Sequence, residues 1–315
     1  MRVLPALLLL LSVAATAARA DTSRALDQVI LPGVARFAEA ARRLSASAAA
    51  DCTRDAVRPA YHTARDAWGA IGDFRLGPTE QAALTIAFWP DDRASGLRAI
   101  RAAVAAGGGQ IALMPASARG FPGLDLLLGE PGLEGDAGCA LVAALAADLA
   151  EQARALQAGW LAHAPLLRNP GNAAYFDLSD AQRVLYTQAL AALELTRDAR
   201  LGRPLGEAGR PRPARAEQWR TARPLPNVLA AARAAHALAR ALVDTPTPAA
   251  DAALAAVLSA AAAVSDPAFQ DVGDPQARLR VEILQQRVDA LHAAIIADVG
   301  QVLGVGLGFN ALDGD

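Results

Sequence analysis

The chain has 315 residues, of which 53% are apolar and 20% charged, with a formal net charge of −2. That balance belongs to a folded chain of one large or two ordinary domains and lacks the basic face nucleic acid requires, which excludes a nucleic-acid partner. All 30 basic residues are arginine, so Walker phosphate loops and Schiff-base lysines are excluded, and two cysteines with four histidines are too few for cysteine-rich metal modules.

Residues 1–20 read MRVLPALLLLLSVAATAARA. Arg2 gives a positive start, Leu7 to Val13 a mostly apolar stretch, and Ala18-Arg19-Ala20 a small-residue cleavage site. This pattern predicts a cleavable leader and export to the periplasm, since the apolar run is too short to span a bilayer. No later stretch is apolar for long enough to give the mature chain a transmembrane segment. In an oxidising compartment Cys52 and Cys139, the only pair, can form a disulfide; two buried free thiols are the alternative.

About a quarter of the chain is alanine and only 4% is aromatic, a composition that favours helix. Apolar periodicity predicts helices over about 24–50, 53–72, 79–88 and 95–106. A long helix from Ala140 carries Leu141, Leu145, Leu149, Ala153, Leu156 and Trp160 on one stripe and ends near His163. Further helices are expected at 179–201, 214–242 and 249–264. A last one bears Leu284, Val288, Leu291, Ile295, Val299 and Val302. Pro59 and Pro224 should begin or kink their helices, and Ser179 and Asp274 look like starts. Gly107-Gly108-Gly109 reads as a helix stop. The expected fold is all-α, with two packed helical-bundle halves at 21–167 and 179–315 joined by a linker at 168–178. The Pro, Gly and Arg-rich stretch 202–215 reads as a surface loop.

Nucleophile-elbow, zincin and dinucleotide signatures are absent. His62 with Asp66 and Asp289 with His292 are spaced to share a helix face, although neither pair completes a metal site. His236 lies between Arg233 and Arg240, and His163 falls at a predicted helix end. Three clusters exceed what helix packing requires: Trp68 with Phe74-Arg75-Leu76-Gly77-Pro78, Phe88-Trp89-Pro90-Asp91-Asp92-Arg93, and Arg119-Gly120-Phe121-Pro122-Gly123-Leu124-Asp125-Leu126-Leu127-Leu128. Gly-Phe-Pro-Gly is expected to break a helix before Leu124 restarts one.

In order along the chain, FRLGP (74–78), FWPDDR (88–93), GFPGLDLLL (120–128), CAL (139–141), RPLPN (223–227) and LGVGLGFNALDGD (303–315) resemble the imelysin family. The resemblance implies a helical fold of two bundle-like halves, a functional site where they meet, a cell-envelope location and an association with iron uptake. It also implies a metal motif, GxHxxE, which here reads Gly120 to Asp125. Pro122 stands in place of the histidine and has no side-chain ligand, while Asp125 keeps a carboxylate. Iron or another divalent cation is the cofactor implied, with Asp125 as its ligand and Asp91, Asp92 or Asp313 as further oxygen donors. The candidate ligand surface is Trp68, Arg75, Trp89, Asp91, Arg93, Gly120, Asp125, Asn227 and Asn310, suited to a small anionic or chelated ligand. No residue is assigned a catalytic role. The leading expectation is a non-enzymatic periplasmic binding protein. The alternatives are a metallopeptidase or other hydrolase, and a helical scaffold whose partner is another envelope protein.

Overall fold

The structure, a computed structural model, describes residues 22–305; the expected leader, Asn310 and Asp313 lie outside them. Ten helices carry the described fold, and no strand is formed among the described residues. The first, α1 (Leu31–Ala50), continues unbroken from Thr22–Arg24 and a π-helical stretch, Ala25–Ile30. It is followed by α2 (Arg54–Gly69), α3 (Pro78–Ile86), α4 (Ser95–Ala105), α5 (Gly120–Gly129) and the long α6 (Asp136–Arg168). Beyond the turn lie α7 (Leu178–Glu194), α8 (Pro224–Ala241), α9 (Pro248–Ala262) and α10 (Pro275–Ile295). Both α7 and α10 run on into π-helical segments, Leu195–Leu201 and Ile296–Gly300.

In the first half α1 packs along α6 and α2, while α3, α4 and α5 lean on α6. In the second, α8 packs on α7 and α9, and α10 on α9 and α7. Contact between the halves runs through α8, which touches α2 and the π segment 25–30, and through the 3-10 turn Trp219–Thr221, which packs on α5. One continuous apolar cluster passes through both halves. The stripes explain this packing: Leu141, Leu145, Leu149, Ala153, Leu156 and Trp160 of α6 are all buried, as are Leu284, Val288, Leu291 and Ile295 of α10. Val302, expected on the same stripe, is exposed.

Several local expectations are corrected. Gly-Phe-Pro-Gly does not break a helix but opens α5, with Pro122 in the first turn, where its missing N–H has no intrahelical partner to lose. Pro59 sits inside α2, while Pro224 begins α8. Asp177, not Ser179, caps α7 by accepting from the Asp180 amide at 2.8 Å; Asp274 caps α10. The long helix ends at Arg168, five residues beyond His163. Helix is absent over 214–223 except for short 3-10 turns, because this stretch turns inward with left-handed Gln218 and Ala222. The glycines after α4 do stop it, with Gly107 at φ +76°. No described helix is long and apolar enough to cross a membrane.

Cys52 and Cys139 form a disulfide that ties the α1–α2 turn to the first turn of α6, with Cα atoms 5.0 Å apart and a sequence separation of 87. Closing a loop of that length restricts the unfolded chain by roughly 4 kcal/mol. Reduction, or Cys52→Ser with Cys139→Ser, is therefore expected to lower the urea midpoint by a corresponding amount. Identical midpoints with and without reductant would contradict this.

Candidate functional site at the seam between the halves

Segment 214–223 is fixed by ions rather than by helix. Glu217 is buried and accepts from Arg65 of α2 at 3.1 Å and from Arg200 at 2.8 Å. Arg200 also grips Asp73, with contacts of 2.6 and 2.8 Å to its two oxygens. Arg65 donates a further bond to Gln218 at 2.7 Å, and Asn227 donates to Glu217 at 3.0 Å. Burial raises the Glu217 pKa, but Arg200 and Arg65 outweigh it and hold the carboxyl at about 2. Arg223, buried beside this cluster, pairs with Asp66 and donates to Asn227 at 3.2 Å, with its Nη1 3.2 Å from His62 Nδ1.

This anchored segment meets α5 at Asp125. The Thr221 amide donates to Asp125 Oδ1 at 3.0 Å and the Thr221 hydroxyl at 2.6 Å, while Tyr61 lies 3.2 Å from that hydroxyl. Asp125 is only 4% exposed, and burial raises its pKa to about 6 despite the lowering effect of Thr221 and Arg220. Its second oxygen, Oδ2, has no hydrogen bond among the described residues. It keeps solvent contact through the cavity that Asp125 lines.

That cavity, of about 270 Å³, lies at the seam. The first half contributes Phe88, Trp89, Asp91, Leu97, Ser117, Pro122 and Asp125. The second contributes Arg203, Arg215, Gln218, Trp219 and Arg220. Guanidinium groups lie over both indoles, Arg203 at 5.6 Å from the Trp89 ring and Arg220 at 4.5 Å from that of Trp219. Arg203 pairs with Asp92, and Arg220 bonds Glu130 at 2.6 Å. Arg215 is exposed and has no side-chain hydrogen bond among the described residues.

Of the residues singled out in the sequence, Trp89, Asp91 and Asp125 line this cavity. Asp91 is occupied in capping α4: it accepts from Ser95 N at 3.0 Å and Gly96 N at 2.8 Å, and these bonds outweigh burial to lower its pKa. Gly120 has φ +52°, and an added Cβ would lie 2.2 Å from the Ile86 carbonyl oxygen, so its part is to set the path of α5. Trp68 is a core residue, its ring 5.0 Å from that of Phe37. Asn227 belongs to the Glu217 cluster, and Arg93 is exposed and outside the cavity lining. Arg75 is partly buried beside Asp73 and Arg200, where burial lowers its pKa, and it does not line the cavity. Sequence reasoning missed Arg203, Arg215, Trp219, Arg220 and Thr221, and it missed the Arg65–Glu217–Arg200 cluster. The only signal was an arginine-rich loop that reads as solvated surface.

The spaced histidine pairs do not act as ligand pairs. His62 and Asp66 both face Arg223, whereas His292 lies 3.2 Å from Glu194 and Asp289 bonds Arg197. His236 contacts Asp251 and His163 contacts Tyr175, each at 2.7 Å. No three His, Cys, Asp or Glu residues among those described gather as a metal site. Around Asp125 the donor set does not fit a protein-held divalent cation: Oδ1 is taken by Thr221, Asp91 is spent on α4, and Arg220 stands near. Nor is there a histidine in the cavity; Ser117 shares a 2.8 Å hydrogen bond with Ser95.

Two expected outcomes follow from this chemistry. Glu217→Gln removes the shared carboxylate from two buried guanidinium groups and should cost about 3–5 kcal/mol in urea unfolding; a loss below 1 kcal/mol would show that the cluster is not a structural anchor. For Asp125 the folded pKa lies above its ordinary 3.8, so the native state holds a proton the unfolded chain has released. Stability from this group falls as pH rises from about 4 to about 6 and is flat above, with a penalty of roughly 3 kcal/mol. Asp125→Asn keeps the shape and removes the titration. Comparing both proteins by denaturant unfolding at pH 4.5 and 7.5 should show the wild type losing stability relative to the variant.

Residues 30–295 match the family model described as Imelysin. Among solved structures, the chain is similar to an imelysin-like protein from Psychrobacter arcticum 273-4, with a TM-score of 0.75 and 18% identity over 91% of this chain and 95% of that one. It is also similar to a protein named as an iron-regulated protein A precursor from Parabacteroides distasonis ATCC 8503, with a TM-score of 0.70 and 14% identity over 92% of this chain and 97% of that one. No curated protein matches it. A family match over most of the chain, a fold shared with these structures and the sequence motifs at the α5 turn agree: the chain belongs to the imelysin family.

Proposed function

We propose that this protein is a periplasmic, non-catalytic binding protein of the imelysin family, linked to iron acquisition, whose small ligand occupies the cavity at the seam. The observation that carries the reading is Asp125: a buried carboxylate with one oxygen fixed by Thr221 and the other turned to a cavity walled by indoles and arginines. Oδ2 has no donor among the described residues and meets solvent through the cavity, so a ligand donor can take the place of water there. Binding is favoured over hydrolysis because the hydroxyls beside the cavity carboxylates, Thr221 on Asp125 and Ser95 on Asp91, are held in bonds that fix the α5 and α4 turns, and no histidine base lines the cavity. The leader pattern at 1–20 and the disulfide support an oxidising, exported setting. The iron link rests on the family resemblance and on the name of the Parabacteroides distasonis neighbour.

Native mass spectrometry of protein purified from the periplasm of iron-starved and iron-replete cells tests this reading. The expected result is a non-covalent small-molecule adduct that rises on iron starvation and is lost in Asp125→Asn and Trp219→Ala. Chelator-sensitive cleavage of an unfolded polypeptide, abolished by Asp125→Asn, would overturn it in favour of a hydrolase.

A further inference from the structure

We infer that the seam cavity takes a single-ring hydroxyaryl carboxylate, with its hydroxyl donating to Asp125 Oδ2 and its carboxylate paired with Arg215. This inference rests on the binding reading above and specifies the ligand class. Size sets the first limit: about 270 Å³ is at the small end for ligand sites, enough for one ring with its substituents. The walls set the second. Trp89, Trp219, Phe88 and Leu126 present flat or apolar surface, which suits an aryl group and not a polyol, and aromatic rings stack on indole and guanidinium planes alike.

Two groups on the lining, Asp125 and Arg215, then differ in what they ask for. Buried Asp125 offers Oδ2, which accepts from no described residue, both bonds from Thr221 going to Oδ1. An ammonium is disfavoured there because Arg220 and Arg58 already supply positive charge around the carboxylate. A neutral hydroxyl adds no such repulsion. Among the described residues, Arg203 of the lining pairs with Asp92, though its Nε has no partner, and Arg220 pairs with Glu130, whereas exposed Arg215 has no acceptor. An exposed guanidinium fork left open on the lining is matched by a carboxylate, which it can hold through two parallel bonds. A hydroxyl donor for buried Asp125 and a carboxylate for exposed Arg215 define the ligand.

Calorimetric titration of the mature protein with 3- and 4-hydroxybenzoate, with benzoate and phenol as the two single-group deletions, tests the inference. At least one hydroxybenzoate should bind roughly tenfold or more tightly than either deletion. Asp125→Asn should erase the advantage over benzoate, because a phenolic hydroxyl donates to a carboxylate far better than it accepts from an amide. Arg215→Ala should erase the advantage over phenol. Thermal unfolding of both variants establishes that they remain folded. Equal binding of benzoate, binding indifferent to both substitutions, or no binding overturns the ligand class. If the hydroxybenzoates fail while an Asp125-dependent adduct is still carried from the periplasm, the class alone is wrong; if both fail, the binding reading falls with it.

Discussion

Glu217 is the point on which the seam depends. A carboxylate buried this completely costs several kcal/mol unless its charge and lone pairs are all met. Here they are met by Arg65 from the first half, Arg200 from the π-helical end of α7, and Asn227 from α8. These partners come from distant parts of the sequence, so the ion cluster can close only when the halves are docked. Docking in turn fixes residues 218–221, and with them Thr221 against Asp125 and Trp219 and Arg220 along the cavity.

The exclusive use of arginine fits this design. Lysine presents a compact charge that is strongly hydrated, whereas a guanidinium directs planar donors at several acceptors and is more weakly hydrated. Arg200 uses that geometry in full, holding both oxygens of Asp73 and one of Glu217, with Thr196 Oγ1 at 3.2 Å. Arg65 divides its donors between Glu217 and Gln218 while its Cζ lies 5.5 Å from the Phe121 ring centroid. Arg200 lies within the π-helical stretch Leu195–Leu201, a local widening of the kind often found at functional positions. The buried cluster gives one defined register between the halves, while the alanine-rich helices supply close packing around it.

The α5 turn shows how a family motif can persist with altered chemistry. Gly120 is needed because α5 begins against the Ile86 carbonyl with no room for a Cβ. Pro122 fits the first turn sterically but brings no donor atom. Asp125 remains on the cavity lining, where Thr221 satisfies one oxygen. The surroundings are rich in guanidinium groups, which suits an anion with a hydroxyl donor better than a bare cation.

By itself the sequence determined the helical class, the stripes on α6 and α10, the helix start at Asp274 and the position of the α5 turn. These follow from local periodicity, capping and backbone restriction, which act over a few residues and leave a pattern in the chain. The six ordered motifs likewise carried the family. Only the tertiary structure decided which polar residues matter. Arg65, Arg200 and Glu217 sit in stretches whose local pattern reads as ordinary helix or solvated loop, and burial becomes visible only when α2, α7 and α8 converge. The same convergence separates Asp125, open to a cavity, from Asp91, spent on a helix cap, although both are acids in unusual clusters. It also moves Trp68 and Asn227 into buried packing and brings Arg203, Arg215, Trp219 and Arg220 to the wall, because ion pairing and desolvation act between residues far apart in sequence.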